Sequence, residues 1–520
     1  APPRGAPRAL PQHCELFRTA AAYGRPNGKA VLQIEFFVDA FFDAKSLTTG
    51  LYYRVLNLPL VLRPRFLSLI GEWVDVGDFV QRIVVGMATA RGVRGAPRRA
   101  CAAARAEHEH QGRNVPLAVL QRFYELRARV PVEALEPLEI TVNGTVFIVI
   151  VALSTGDNHA QSEVSGVMHN AACVNSRHSQ LPRHEYVALQ PDDTFDEYKR
   201  VIRSYRRSSI DALALYNDAL GSYDRYLAAI AAGTFTDMGL SEQPSALWSL
   251  PVFRADFFVR CLVDDMHLHG LGLFGKLVTY TITYDLDDSG DGARRDGSLH
   301  RRPRGDPARL RAKLTAVLAD LLARAQLPFK SPPKLFHKTK GGFAARTLRD
   351  CVSVALRLPT ALYILHRDAT APPVSLPWCR FMTDYVELFI VRPRESALYM
   401  VDGIDLYERH VFERFDSRIA CFLPPELRIT SMKWEQVRHT PHQYRVAGHP
   451  HGPGYALEFE HAHQPRKKDV TASQPTADRL RAATLRAQRV AAVLEEHDAA
   501  DARARVGVPR ATEHLVPVWS

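Results

Sequence analysis

Two apolar, β-branched runs between Leu138 and Leu153 flank the pair Asn143-Gly144. A two-residue connection between strands needs positive φ angles, which Asn and Gly adopt at low cost. The pair therefore predicts a type I′ turn and an antiparallel β-hairpin. Val31 to Phe42 is a nearly continuous apolar run that fits either a strand or a buried helix, and Leu51 to Val85 continues as a proline-punctuated apolar region. Leu277 to Leu286 alternates with Thr and Tyr like a strand. Tyr385 to Val391 and Ala397 to Val401 read as a second hairpin, joined by residues 392–396. Ile429 to Trp434 and Tyr455 to Glu460 read as further short strands.

Helical periodicity dominates elsewhere. Pro116 opens a run with Leu117, Leu120, Phe123, Tyr124 and Arg127 at helical spacing, closed by Pro131. Asp196 to Ala232 reads as a long helix broken near Ser208-Ser209, with Leu213, Tyr216, Leu220, Tyr223, Leu227 and Ile230 as its stripe and Gly233 as its stop. Asp306-Pro307 is an N-cap followed by a first-turn proline, and Leu310, Leu314, Val317, Leu318, Leu321 and Leu322 continue the helix. Ala477 to Arg505 reads as a charged terminal helix. The expected class is α+β, predominantly helical, with several short antiparallel hairpins in an irregular multi-lobed architecture. The expected organisation is a flexible basic arm (1–30), a main helical and hairpin domain (31–289), a basic insertion with one helix (290–349), a second α+β lobe (350–465) and a charged helix and tail (466–520). No repeat of 20 to 50 residues recurs, which disfavours solenoids and propellers.

The chain of 520 residues is 46% hydrophobic and 24% charged, an ordinary globular balance that argues against wholesale disorder. No apolar run reaches the ~18 residues of a membrane span. Arg4 and Arg8 are followed by no apolar segment, so the start does not read as a secretory signal; it suits a flexible arm or an organellar presequence remnant. The 7 cysteines stand far apart with no CxxC, which suits a reducing compartment.

Charge is concentrated. Residues 290–349 carry fifteen Lys and Arg against four Asp, which accounts for the whole formal charge of +11. The candidate nucleic-acid contacts are Arg294, Arg295, Arg301, Arg302, Arg304, Lys330, Lys334, Lys338 and Lys340. Such a cluster neutralises phosphates by counterion release. The alternatives are an acidic protein partner and a solvated loop. A weaker basic stretch runs from Arg91 to Arg113, and another joins Lys199, Arg200, Arg203, Arg206 and Arg207 with Tyr198 and Tyr205. Tyrosines beside arginines stack bases, but at helical spacing they are more often packing residues.

Several motifs mimic chemistry. Gly270, Gly272, Gly275 and Lys276 satisfy both GxGxxG and GxxxxGK, patterns that need a helix to begin at the glycines. The β-branched sequence that follows, and Leu277 in place of a metal-binding hydroxyl, argue for a packed turn. His366-Arg367-Asp368 lacks the downstream asparagine of a kinase loop. Asp285, Asp287, Ser289, Gly290 and Asp296 match part of a calcium loop on a non-helical flank. Two histidine groups, His159, His169, Cys173, His178 and His184, then His439, His442, His449, His451, His461 and His463, lack the tight spacing of a zinc site. Asp264, Asp265, His267 and His269 read as the polar edge of an apolar helix.

No metal, no cofactor and no catalytic motif are expected. The resulting expectation is a structural, self-assembling subunit of an RNA-containing particle, foremost a viral capsid protein that contacts RNA phosphates non-specifically. It would act in the virion or the host cytoplasm. An organellar ribonucleoprotein component, such as one of a mitochondrial ribosome, is the alternative. An enzyme with dispersed residues, led by Asp264, Asp265 and His267, is the third reading.

Overall fold

The computed structural model describes residues 22, 28–43, 46–57, 68–74, 138–142, 144–156, 161–162, 165–168, 174, 176–186, 194–241, 248, 256–286, 304–325, 336, 343, 348–394, 403–423 and 432–447. Helix accounts for about 64% of them beside a small sheet, so the protein is mixed α+β with helix in the majority. The chain divides into two compact units. One comprises Ala1–Asp39, Tyr53–Phe66 and Glu107–Glu458; the other comprises Ala40–Tyr52, Leu67–Ala106 and Phe459–Ser520. Every site below lies in the first. The predicted helix after Pro116, the strand at Tyr455, the terminal helix and the basic stretch from Arg91 to Arg113 lie outside the described residues.

Strand β1 is Ala30–Asp43, which resolves the ambiguous run at Val31 in favour of a strand. Two further strands follow, β2 (Ser46–Val55) and β3 (Ser68–Val74), and in the second unit β3, β2 and the end of β1 are neighbours in that order. The predicted hairpin is β4 (Leu138–Val142) with β5 (Thr145–Gly156), antiparallel from Val142 opposite Thr145 to Leu138 opposite Val149. Gly144 sits at φ +79°, the conformation the turn required. In the first unit β1 pairs with β5 in parallel, with a bulge between Ile34 and Glu35. The bulge sits beside a buried ion pair: Arg54 Nε donates to Glu35 at 2.7 Å, and the Thr155 hydroxyl donates to the other Glu35 oxygen.

Helices begin where short polar side chains accept a free amide. Thr194 caps α1 (Phe195–Ser204), Ser208 caps α2 (Ser209–Ala219) and Ser222 caps α3 (Tyr223–Ala231), so the predicted long helix breaks twice and not once. Gly233, at φ +71°, ends the series. Their inner faces gather Tyr216, Tyr226, Phe235 and Trp248 into a small aromatic core with Phe257 and Phe258.

Two predicted strands are helices. Leu277 to Thr283 belongs to α4 (Gly275–Thr283), which continues a π-helical stretch, Met266–Phe274. β-branched residues suit this helix for a local reason. Thr279, Thr281 and Thr283 each donate a hydroxyl hydrogen bond to the carbonyl four residues back, at 2.8, 2.8 and 2.9 Å. The alternation that suggested a strand arises because Leu277, Val278, Thr281 and Ile282 form one buried helical face. Likewise Tyr385 to Val391 continues α8 (Leu376–Val386) as a π-helical turn, Glu387–Val391, and Ala397 to Val401 lies outside the described residues. Its apolar run is continuous because Tyr385, Val386, Leu388, Phe389 and Ile390 are all buried in the helical core.

Asp306 caps α5 (Pro307–Arg324) with its carboxylate accepting from Arg309 N at 2.8 Å, and Pro307 opens the helix as expected. Leu310, Leu314, Leu318 and Leu322 of α5 enter the main core with α4, α6 (Leu348–Ala355), α7 (Leu358–Arg367) and α8. The core also takes in α9 (Gly403–Val411) and α10 (Lys433–Ala447). Residues Lys433 and Trp434, expected to end a strand, open α10 instead.

Leu314 is fully buried on all its packed faces. Leu314→Ala is expected to destabilise the protein by about 2–5 kcal/mol, read as a lower urea midpoint with an unchanged slope. Thr315→Ala, at the neighbouring exposed position, should leave stability within about 0.5 kcal/mol of the wild type.

Candidate functional site

Of the nine candidate phosphate contacts, eight lie outside the described residues: Arg294, Arg295, Arg301, Arg302, Lys330, Lys334, Lys338 and Lys340. The ninth, Arg304, is turned inward. Its backbone amide donates to Thr283 O at 3.0 Å, its Nη2 donates to Tyr284 O at 3.1 Å, and Nη1 reaches Pro373 O. The Asp285 carboxylate lies 3.8 Å away. Arg304 is thus a structural clamp and not a solvent-facing contact. Of the helix α5 cations, Arg309 donates to Thr370 O at 2.7 Å and Lys313 to Asp368 at 2.9 Å.

Described residues that flank the basic stretches in sequence are bonded to α4 or near it. Arg304 is held at the C-terminal turn of α4 through Thr283 and Tyr284. Ser375 Oγ donates to Leu286 O, three residues beyond α4. The Phe343 amide approaches Thr279 Oγ1 at 3.4 Å. The Phe343 ring meets Phe274 edge-on at 5.4 Å, and Phe336 pairs with Phe343.

This contact also explains the glycine motif. Gly270, Gly272 and Gly275 lie inside an unbroken helical run and not at a helix start, so no fan of free amides faces a phosphate. A side chain at Gly275 would press on Phe343 at 3.4 Å. One at Gly272 would meet His267 O at 2.4 Å and Lys433 Nζ at 2.8 Å. Lys433 uses that gap to donate to His267 O at 2.6 Å. The motif therefore serves close packing, although the helix that follows it was expected to be a strand.

The other motifs are likewise engaged. Asp368 ends α7 and accepts from Lys313 and from the Thr370 amide, bonds to Thr370 and Lys313 that hold its carboxyl down at about 2. Asp264 accepts from His267 Nδ1 at 2.6 Å, whereas Asp265 accepts from Tyr444 at 2.7 Å, so these carboxylates do not converge. His269 stacks on Phe389 at 4.5 Å. Asp285 pairs with Arg304, and the rest of the calcium-like pattern lies outside the described residues. Among the described residues no group of three His, Cys, Asp or Glu side chains is placed to hold a metal ion.

The fold joins members of the two histidine groups. His178 and His439 stack with ring centroids 5.6 Å apart. Glu435 accepts from Ser176 Oγ at 2.7 Å and from His439 Nε2 at 2.5 Å. Burial opposes the charge of Glu435, but His439, Ser176 and Arg438 outweigh it and hold its pKa low. The Ser176 hydroxyl donates to Glu435 and accepts from the His178 amide at 3.2 Å. These residues are all buried, and they tie residues 176–178 to α10. His159, His169, Cys173, His449, His451, His461 and His463 lie outside the described residues.

Among the described residues a cleft of about 400 Å³ opens between α1 and α9, lined by Phe195, Lys199, Arg203, Asp405, Leu406, Glu408 and Arg409. Amphipathic α1 buries Tyr198 and Ile202 against Phe412 and Tyr186, which confirms Tyr198 as a packing residue and leaves Lys199 and Arg203 on the outer side. Lys199 Nζ lies 4.6 Å from the Phe195 ring centroid, and the Arg409 guanidinium lies 5.1 Å from it. Arg207 is directed away, bonded to Ser176 O at 2.6 Å and Met238 O at 2.7 Å. Arg200 pairs with Glu197 on the solvent side. The sequence marked α1 as basic but gave no sign that Phe195, Leu406 and Arg409 would join it, because α9 is some two hundred residues away.

No protein-family model matches the chain, and no curated protein matches it in sequence.

Burial pushes His442 down to about 3, assisted by Arg206, His439, Arg445 and Arg203, and His178 is lowered for the same leading reason. A histidine held neutral in the fold takes up its proton more readily when unfolded. Stability should therefore be complete above about pH 6.5 and decline as pH falls from there toward 3. Urea midpoints measured from pH 7.5 down to pH 4 should show this slope, and His442→Gln should flatten it.

Proposed function

We propose that the protein is a non-catalytic structural subunit of an RNA-containing assembly, and that the basic stretches before and after helix α5 in sequence meet RNA phosphates without reading sequence. The observation that carries this reading is the concentration of charge in residues 290–349, together with the bonding to α4 of described residues that neighbour the cations in sequence. Arg304, which follows Arg301 and Arg302 in sequence, is bonded to the C-terminal turn of α4, and Phe343, shortly after Lys338 and Lys340, is bonded to Thr279 of the same helix. Cations spread along the sequence suit a polyanion better than a single small counter-ion.

A second consideration supports a structural role. The carboxylates and imidazoles that resemble catalytic groups are engaged in holding segments together, among them Asp264 with His267, Asp368 with Lys313 and Glu435 with His439. In its most specific form the proposal is a capsid subunit that associates with copies of itself.

Binding of a labelled single-stranded RNA to the full chain, followed by anisotropy from about 50 to about 300 mM salt, tests the proposal. Affinity should fall linearly on logarithmic axes, with a slope near 0.7 per phosphate contacted. Replacing Arg294, Arg295, Arg301 and Arg302 by Ala should reduce that slope by up to about 3. Phe343→Ala should weaken affinity several-fold while keeping the slope, because it removes a packing contact with Phe274 beside the basic stretch in sequence and removes no charge. RNA affinity insensitive to salt would refute phosphate contact. Light scattering that shows only monomers, with and without RNA, would refute self-assembly.

A further inference from the structure

We propose that the cleft between α1 and α9 is a discrete binding site for the phosphate of a nucleotide, built from residues other than the basic stretch Arg294 to Lys340. Three cations converge on it from two elements, Lys199 and Arg203 of α1 and Arg409 of α9. Its two carboxylates already have a guanidinium: Arg445 Nη2 lies 2.6 Å from Asp405 and 2.9 Å from Glu408. Lys199 is shared with the exposed Asp196 at 2.8 Å. Arg203 is exposed and has no carboxylate partner among the described residues. Just behind it, the buried Arg206 Nε has no hydrogen-bond partner. The surplus is therefore cationic, and it is greatest at Arg203.

An independent sign of the positive field comes from His442. Four cationic or imidazole neighbours, Arg206, His439, Arg445 and Arg203, add to burial in suppressing its protonation. An anion at Arg203 would relieve that mutual repulsion. The guanidinium groups of Arg203 and Arg409 offer planar forks that match phosphate oxygens, and Lys199 supplies a point charge in the same cleft.

The remaining walls set the rest of the ligand. A volume of about 400 Å³ exceeds what a bare phosphate fills and falls in the range of small-ligand pockets. Phe195 is already covered by Lys199 and Arg409 and packs on Phe412 at 6.0 Å, so it is no stacking platform. Leu406, 52% exposed, is the free apolar surface and carries no hydrogen-bonding group on its side chain. A base resting on it would be held without regard to its identity. The ligand is thus a nucleotide phosphate with base-tolerant contact, supplied either free or as part of a strand.

Calorimetric titration of the full chain with AMP, with inorganic phosphate and with a ten-nucleotide oligo(U) tests the site. Saturable binding of AMP is expected, weakened roughly tenfold or more by Arg203→Gln and by Arg409→Gln. It should be unchanged when Arg294, Arg295, Arg301 and Arg302 are all replaced by Ala. That quadruple variant separates this site from the proposal above, since it impairs RNA binding there and leaves AMP binding here. Oligo(U) binding lost in Arg203→Gln, with AMP not bound, would identify a strand as the source of the phosphate. Circular dichroism of each variant controls for folding, and the lysine variant Arg203→Lys should recover part of the affinity if charge is what matters. No binding of AMP or oligo(U) by the wild-type chain would overturn the proposal. So would binding that survives both Gln substitutions in folded protein.

Discussion

Helix α10 is polar in sequence and buried in place, and the rest of the first unit is arranged around satisfying it. Twelve of its residues are buried, among them Glu435, Gln436, Arg438, His439 and Gln443. Such groups are costly to bury unless each finds a partner. The partners come from several stretches of chain. Arg438 forms a two-pronged pair with Asp416 at 2.7 and 2.9 Å and also donates to Tyr186 O. Gln443 accepts from Val263 N and donates to Val263 O, and Tyr444 donates to Asp265. Glu435 holds Ser176, and Lys433 holds the π-helical stretch at His267. Hydrophobic burial supplies the drive to collapse, but it is non-directional. These bonds specify which segment lies where.

The same economy governs groups that resemble functional ones. A buried carboxylate beside a histidine is the raw material of acid–base chemistry, yet here Glu435 and Asp264 are consumed as fasteners. Arg304 and Arg207 show the parallel fate of cations: each sits in a strongly basic stretch, and each spends its guanidinium on backbone carbonyls. Arg203, on the outer side of α1, is one cation that the described residues leave without a carboxylate partner. Charge count along a sequence is therefore a poor guide to the field a partner meets. What matters is which cations the fold has already neutralised.

Helix α4 illustrates how packing reassigns a motif. Its glycines match phosphate-binding patterns, but the run is already helical on both sides of them. The absent side chains instead admit Phe343 and Lys433. Threonines that favour strands are accommodated because each hydroxyl satisfies a carbonyl of the preceding turn. Trp378 then donates to Thr281, tying α8 to the same helix at 2.9 Å.

Local signals that need only neighbouring residues were legible in the sequence. Asn143-Gly144 determined the β4–β5 turn, because few residues other than Gly tolerate φ +79°. Asp306-Pro307 determined the start of α5, because a free amide and a preset φ are local requirements. The leucine period determined which face of α5 is buried. Tertiary structure alone decided that Leu277 to Thr283 and Tyr385 to Val391 are helices, since a segment buried on most sides loses the polar–apolar contrast that distinguishes periods of 2 and 3.6 residues. It alone decided that polar α10 lies inside, and that Phe195, Arg203 and Arg409 share a cleft. Such pairings depend on contacts between residues far apart in the chain, and no local preference encodes them.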